Sequence, residues 1–286
     1  MSYIDDAFVK LKSNLEITTS EQKLASSRHI AMRDFVREKW DLDDDFLTGS
    51  YRRDTKTKKL KDVDIFLVIA PSGPQGGYRK QPPLDVLNAL LELLNERWPE
   101  AYRDGMAIVI PYGDDVMSIE AVPAFKRTNG GYFIPEPSAG AWIATNPKRH
   151  HELSIAKNDD CGGKYVPLVK MIKTINRELD EPVSPSFLLE VMAQTIVKTP
   201  VGRYQDEIVL FLATAADRID ETWPDPAGLG GDVNTVMTPA DKLAATTALR
   251  QAQQIAEHAV DLEDEGQDRA AYTEWKKLFG DRITRP

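Results

Sequence analysis

The sequence predicts an α+β fold, on three observations. Residues 65–70 form an almost unbroken apolar run of strand length. Residues 107–110 and 116–122 read as two further strands, separated by Pro111, Tyr112, Gly113 and Asp114. From Tyr165 onward the apolar period becomes helical, with Leu168, Ile172, Ile175 and Leu179 recurring on one stripe. Strands gathered in one half of a chain and helices in the other are the pattern of an α+β protein.

The elements follow in order. Residues 20–40 read as a long helix, with Leu24, Ala31 and Phe35 on one stripe and Trp40 near its end. The acidic run DLDDD then reads as a boundary, followed by a Gly-Ser turn at Gly49-Ser50 and a strand over 62–70. Residues 71–83 are rich in proline and glycine and read as a loop. Residues 84–98 form the clearest amphipathic helix, with Leu87, Leu90, Leu91, Leu94 and Trp98 on its apolar face. Beyond Pro123, the run GGYFIPEPSAGAWIATNP reads as a hairpin-like region anchored by Trp142 and Pro147. Cys161, in NDDCGG, falls in a loop. Ser184-Pro185 supplies a helix N-cap followed by proline at the first helical position, before SFLLEVMAQTIV.

Composition narrows the class. The chain has 286 residues, 42% hydrophobic and 28% charged, which suits one large or two medium domains with a real core. No stretch has the length of a membrane span and the N-terminus does not read as a signal peptide, so no membrane association and a cytoplasmic location are expected. A single cysteine excludes a disulfide framework and a cysteine-based zinc cluster. His150 and His151 read as surface residues. A net charge of −9 argues against a protein that holds long nucleic acid by its phosphates. The local exception is Arg52, Arg53, Lys56, Lys58, Lys59 and Lys61, which reads as a solvated loop with a share in steering a phosphate ligand.

The chemistry sits in GSYRRDTKTKKLKDVDIFLVIA, residues 49–70. Side chains two apart on a strand share a face, so Asp62 and Asp64 project together. Paired carboxylates suit a divalent cation such as magnesium, which takes hard oxygen ligands. Gly49 and Ser50 offer close backbone approach, N–H donors and a hydroxyl to a triphosphate. A phosphate cradle beside a metal pair is the equipment of a nucleotidyltransferase, and the segment resembles the signature of the polymerase-β-type nucleotidyltransferase superfamily. Glu120, in MSIEAVPAF, is a carboxylate among apolar strand residues. It reads either as a third metal ligand or as an edge-strand or salt-bridged residue. Its context resembles the third-carboxylate strand of one branch of that superfamily, where aspartate is usual.

The whole chain resembles the bacterial CD-NTase family of cyclic-oligonucleotide synthases. The likeness runs through GSYRRDTKTKKLKDVDIFLVI, IEAVPAF, GYFIPEP, WIATNP, LVKMIKTIN, SPSFLLEVM, WPDPAGLGGDVN and EWKKLFGD. It implies a two-lobed molecule: a mixed β-sheet catalytic lobe over 1–150, braced by an N-terminal helix, and a helical lobe over 151–286. It implies two Mg²⁺ ions, with Mn²⁺ as a substitute, held by Asp62, Asp64 and Glu120. It places Lys173 and Ser186 on the donor triphosphate, with Lys170 as a weaker candidate. Against this, the lysines also read as a wet helix face and Ser186 as a first-turn residue. The implied activity is synthesis of a cyclic di- or trinucleotide from nucleoside triphosphates, with loss of pyrophosphate, in CBASS anti-phage signalling. The product would act on a separate effector, no stable nucleic acid is expected, and a regulatory protein partner is left open. A linear 2′–5′ oligonucleotide synthase, an RNA-adding nucleotidyltransferase and an inactive nucleotide-binding scaffold stay open as alternatives.

Overall fold

The computed structural model describes residues 2–113 and 116–286. Asp114 of the expected turn therefore lies outside the described residues. The chain forms two compact units, one of residues 17–151 and one of residues 1–16 with 152–286. The first sixteen residues thus pack with the helical part of the chain, not with the sheet as the expected division after residue 150 has it. The reason is an apolar stripe. Helix α1 (Tyr3–Leu15) starts at a capping box between Ser2 and Asp5 and buries Ile4, Ala7, Phe8, Leu11 and Leu15. These side chains enter the core of the helical unit.

In the other unit, α2 (Thr19–Arg37) leads to β1 (Leu42–Leu47), the single-turn α3 (Gly49–Arg52) and β2 (Asp62–Ile69). A 3-10 turn at Pro74–Lys80 lies within the proline- and glycine-rich segment, before α4 (Pro83–Asn95). Then come β3 (Tyr102–Asp104), β4 (Ala107–Ile110), β5 (Ser118–Lys126), and the hairpin of β6 (Tyr132–Glu136) and β7 (Ala141–Thr145). Helix α5 (Pro147–Asp160) spans the boundary between the units.

The strand order is β1-β2-β5-β4-β3, and the hairpin joins through β6 on β5. β2 and β5 are parallel and the other pairs antiparallel, so the sheet is mixed. The period of two sorts each central strand into two faces. Val63, Ile65, Leu67 and Ile69, with Ile119 and Ala121, pack with Met32 and Val36 of α2 and Leu87, Leu90 and Leu94 of α4. The opposite face carries Phe66, Val68, Val122 and Ala124 against Tyr132 and Ile134. Alternation puts Asp62, Asp64, Ser118 and Glu120 on that second face, ahead of its apolar stretch.

Three sequence expectations change here. The buried stripe of α2 is Ala25, Arg28, Met32 and Val36, one position on from the predicted one. Arg28 can be buried because its guanidinium bonds the Met117 carbonyl and stacks on Tyr112, 4.3 Å from the ring centre. Residues 42–45 of the acidic run expected as a boundary belong to strand β1. Asp45 is met by His29 and Arg37 and Asp44 by Lys148, while Asp43 is exposed to solvent. His150 is buried, not a surface residue, because it lies on the inner side of α5.

The helical unit adds α6 (Tyr165–Glu178), α7 (Phe187–Ile196), α8 (Tyr204–Arg218), α9 (Pro239–Asp264) and α10 (Asp268–Phe279). Ala245, Leu249, Ala252, Ala256 and Ala259 form the buried stripe of α9, small enough for close approach by α8 and α10. Trp275 and Phe279 of α10 meet the Phe8 ring edge-on at 5.0 and 5.8 Å. Cys161 follows α5 directly and is buried in this core. The WPDPAGLGG turn is held by Asp225, whose carboxylate accepts the N–H groups of Ala227, Leu229 and Gly230. Among the described residues, no helix is long and apolar enough to cross a membrane.

Candidate active site

The parallel pairing of β2 and β5 builds the site. Asp64 stands beside Glu120 in the register, and Asp62 beside Ser118. The two strands start together because the Ser118 N–H donates to the Lys61 carbonyl at 2.8 Å. The Asp64 and Glu120 carboxyls share a hydrogen bond, and the Asp62 charge acts on both.

The Gly-Ser turn is fixed to the same point. The Thr48 N–H donates to the Asp64 carbonyl at 2.8 Å, placing α3 over the end of β2. Gly49 has φ +61°, the left-handed region that favours glycine. A β-carbon there would overlap the Asp64 carboxylate oxygen, so glycine is required for space as well as for conformation. The Ser50 carbonyl accepts the N–H groups of Thr55 and Lys56 at 3.0 and 3.1 Å, which curls the following loop back over the turn.

That loop is only in part the solvated run expected: Arg52, Lys59 and Lys61 are exposed, whereas Thr55 and Thr57 are buried and Arg53 is 8% exposed. Lys56, between the threonines, directs its ammonium to the Asp62 carboxylate. The sequence reading gave Lys56 a share in phosphate steering but did not foresee its pairing with Asp62. The usable signal was the alternation in TKT, which buries both threonines and sends the intervening lysine the other way.

The electrostatics are those of crowded negative charge. Burial pushes the Glu120 carboxyl up to about 7, with the Asp64 and Asp62 charges adding to the effect. Burial also raises Asp64, where Asp62 adds and Lys56 and Arg53 oppose. Hard oxygen donors that resist ionising beside one another fit a divalent cation, which would relieve their repulsion. Among the described residues, no three His, Cys, Asp or Glu side chains already stand in an ion-holding arrangement. The ammonium of Lys56 is the cation found at Asp62.

The other nominated residues lie in the helical unit. Lys173 Nζ donates to Glu190 Oε1 at 3.0 Å, with both side chains buried. Lys170 is buried as well, and its Nζ donates to Glu16 Oε2 at 2.7 Å. The stripe of α6 is thus no wet face, because each ammonium has a carboxylate from another part of the unit. Ser186 is exposed and is itself the N-cap residue of α7, with no capping bond from its hydroxyl. The cap is therefore not Ser184. The Pro185 carbonyl accepts the Leu188 N–H at 2.9 Å, so the chain turns through Ser186 before the helix begins.

Comparison with known proteins gives a consistent picture. The family described as Second Messenger Oligonucleotide or Dinucleotide Synthetase domain matches residues 1–158. A cyclic AMP-AMP-AMP synthase of an Acinetobacter species is 26% identical over 300 residues, covering 97% of this chain and 84% of the relative. Among solved structures, the CD-NTase CdnG of Bradyrhizobium diazoefficiens in complex with GTP superposes with TM-score 0.77 at 16% identity, over 99% of this chain and 96% of that one. Escherichia coli CdnC in its HORMA-deltaN complex gives TM-score 0.76 at 13% identity, over 98% of each chain. These two structural likenesses show a common fold.

Proposed function

This chain belongs to the second messenger oligonucleotide or dinucleotide synthetase family, and from that premise we propose how its own residues join nucleoside triphosphates into a cyclic di- or trinucleotide. The observation that carries the reading is the register of Asp64 with Glu120, with Asp62 on the same strand face and the Asp64 carboxylate lying where a β-carbon of residue 49 would stand.

Asp62, Asp64 and Glu120 would hold two Mg²⁺ ions, which when bound activate an attacking ribose hydroxyl and neutralise charge on the departing pyrophosphate. Gly49 lets the donor phosphates approach the backbone, and Ser50 adds a hydroxyl. Both orient the α-phosphorus for in-line attack. Lys170, Lys173 and Ser186 are assigned to the phosphates of the donor nucleotide. For the lysines this requires exchanging Glu16 and Glu190 for phosphate oxygens. Ser186 needs no exchange, because its hydroxyl makes no capping bond. The domain roles follow: residues 17–151 carry the metal and turn residues, and the helical unit carries the phosphate lysines.

The reaction serves bacterial CBASS signalling, with a separate effector as the receiver of the product and a cytoplasmic location. The Acinetobacter relative is named a cyclic AMP-AMP-AMP synthase, so ATP is the first substrate to test. The CdnC structure contains a HORMA protein, and a regulatory protein partner is proposed here on that likeness.

The test is incubation of the purified protein with labelled nucleoside triphosphates and Mg²⁺, with no nucleic acid added, followed by phosphatase. Label retained in a phosphatase-resistant cyclic product is expected. EDTA should abolish it, and Asp62→Asn or Asp64→Asn should lower it roughly a hundredfold or more, the scale of losing a transition-state charge contact. Linear chains would overturn ring closure. Full activity in a folded Asp62→Asn, Asp64→Asn double variant would overturn the site.

A further inference from the structure

The carboxylate cluster already has a cation, and it belongs to the protein. Lys56 is only 13% exposed and Asp62 33%, and the ammonium is hydrogen-bonded to the Asp62 carboxylate. Lys56 is also held at its other end. Its backbone N–H donates to the Ser50 carbonyl at 3.1 Å, and its neighbours Thr55 and Thr57 are buried. The side chain is therefore not a surface lysine that happens to find an acid. It is a short arm anchored to the Gly-Ser turn and aimed at the first carboxylate of β2.

The consequences are electrostatic. Three carboxylates share one sheet face, Asp64 beside Glu120 in the register and Asp62 two residues earlier on the same strand, so their negative charges crowd together. An ammonium is a compact point charge, well suited to stand in for a hydrated ion. It satisfies Asp62 but carries half the charge of a divalent cation. Asp62 is also one of the carboxylates that would hold a metal ion.

The geometry points to Lys56 as a resident counter-cation that competes with divalent metal for Asp62. This rests on the metal assignment made above and deepens it. In the metal-free protein Lys56 lowers the mutual repulsion of the carboxylates. Metal loading must displace it from Asp62. Because its backbone stays tied to Ser50, the displaced ammonium remains at the turn assigned to the triphosphate.

The experiment is calorimetric titration of the EDTA-treated full chain with Mn²⁺, for wild type, Lys56→Gln and Lys56→Arg. Lys56→Gln should bind Mn²⁺ more tightly by a factor of about two to five, as removing a competing, partly exposed ion pair allows. It should also melt at lower temperature in EDTA, and the difference should shrink when metal is added. Lys56→Arg should stay near wild type. A second readout needs no variant. Acylation of Lys56 in the wild-type protein, followed by mass spectrometry, should be slow in EDTA and faster at saturating Mg²⁺. Lys56→Gln binding Mn²⁺ equally or more weakly, or Lys56 labelling that ignores metal, would overturn the competition while leaving the metal site standing. No saturable Mn²⁺ binding by wild type would overturn the site and the competition together.

Discussion

Glu120 concentrates the physics of the site in one residue. Aspartate is the usual ligand in the strand that it resembles, and glutamate reaches one methylene further. Its folded carboxyl titrates at about 7 against an ordinary 4.5, so the folded protein holds more protons than the unfolded chain between those values. Stability of the metal-free protein should therefore fall as pH rises from about 4.5 to about 7. Asp64, raised in the same direction, adds to the slope. Glu120→Gln should flatten that slope in thermal melts taken in EDTA and should cripple turnover, because a neutral amide holds a divalent cation poorly. Glu120→Asp should keep measurable turnover. Near-normal turnover by the Gln variant would leave only Asp62 and Asp64 as ligands.

At the scale of the element, the turn and the strand cannot be varied separately. Gly49→Ala forces an L side chain into the left-handed region, at about 1–2 kcal/mol, and pushes its methyl into the Asp64 carboxylate. Stability and turnover should fall together in that variant, whereas Ser50→Ala should affect turnover alone. Equal melting temperatures for Gly49→Ala and wild type would contradict the packing. Helix α6 supplies the second element-level expectation. Lys173→Ala removes one charged partner of the buried Glu190 carboxylate, and should lower stability by about 1–3 kcal/mol. Lys173→Met combined with Glu190→Leu should recover much of that loss while still weakening nucleotide binding. A double variant that binds nucleotide as wild type does would remove Lys173 from the phosphate site.

At the scale of the whole molecule, chain order and spatial membership part company. Helix α1 is first in sequence yet packs with residues 152–286. Its Phe8 is 2% exposed and packs edge-on against the stacked pair of Trp275 and Phe279. Phe8→Ala should cost about 3–5 kcal/mol. Hydrogen exchange should place the loss in α1, α6 and α10 first, leaving the strands protected. Uniform loss of protection, strands included, would contradict the membership of α1 in the helical unit.

The apolar run over 65–70, the strand pair and the leucine stripe of α4 were legible because each depends on a local period. The same holds for the shared face of Asp62 and Asp64, and for a glycine at a turn beside them. Local periodicity thus assigns residues to strands or helices and groups the carboxylates that point together. Partners across long separations were not legible. That Asp44 and Asp45 of the acidic run sit in a strand depends on His29, Arg37 and Lys148 arriving to meet their carboxylates. That Lys170 and Lys173 are buried depends on Glu16 and Glu190. That Lys56 meets Asp62 depends on a loop curled back to the Ser50 carbonyl. The tertiary structure decided these, because the cost of burying a charge is set by the partner that meets it, and no period in the chain encodes where that partner will be.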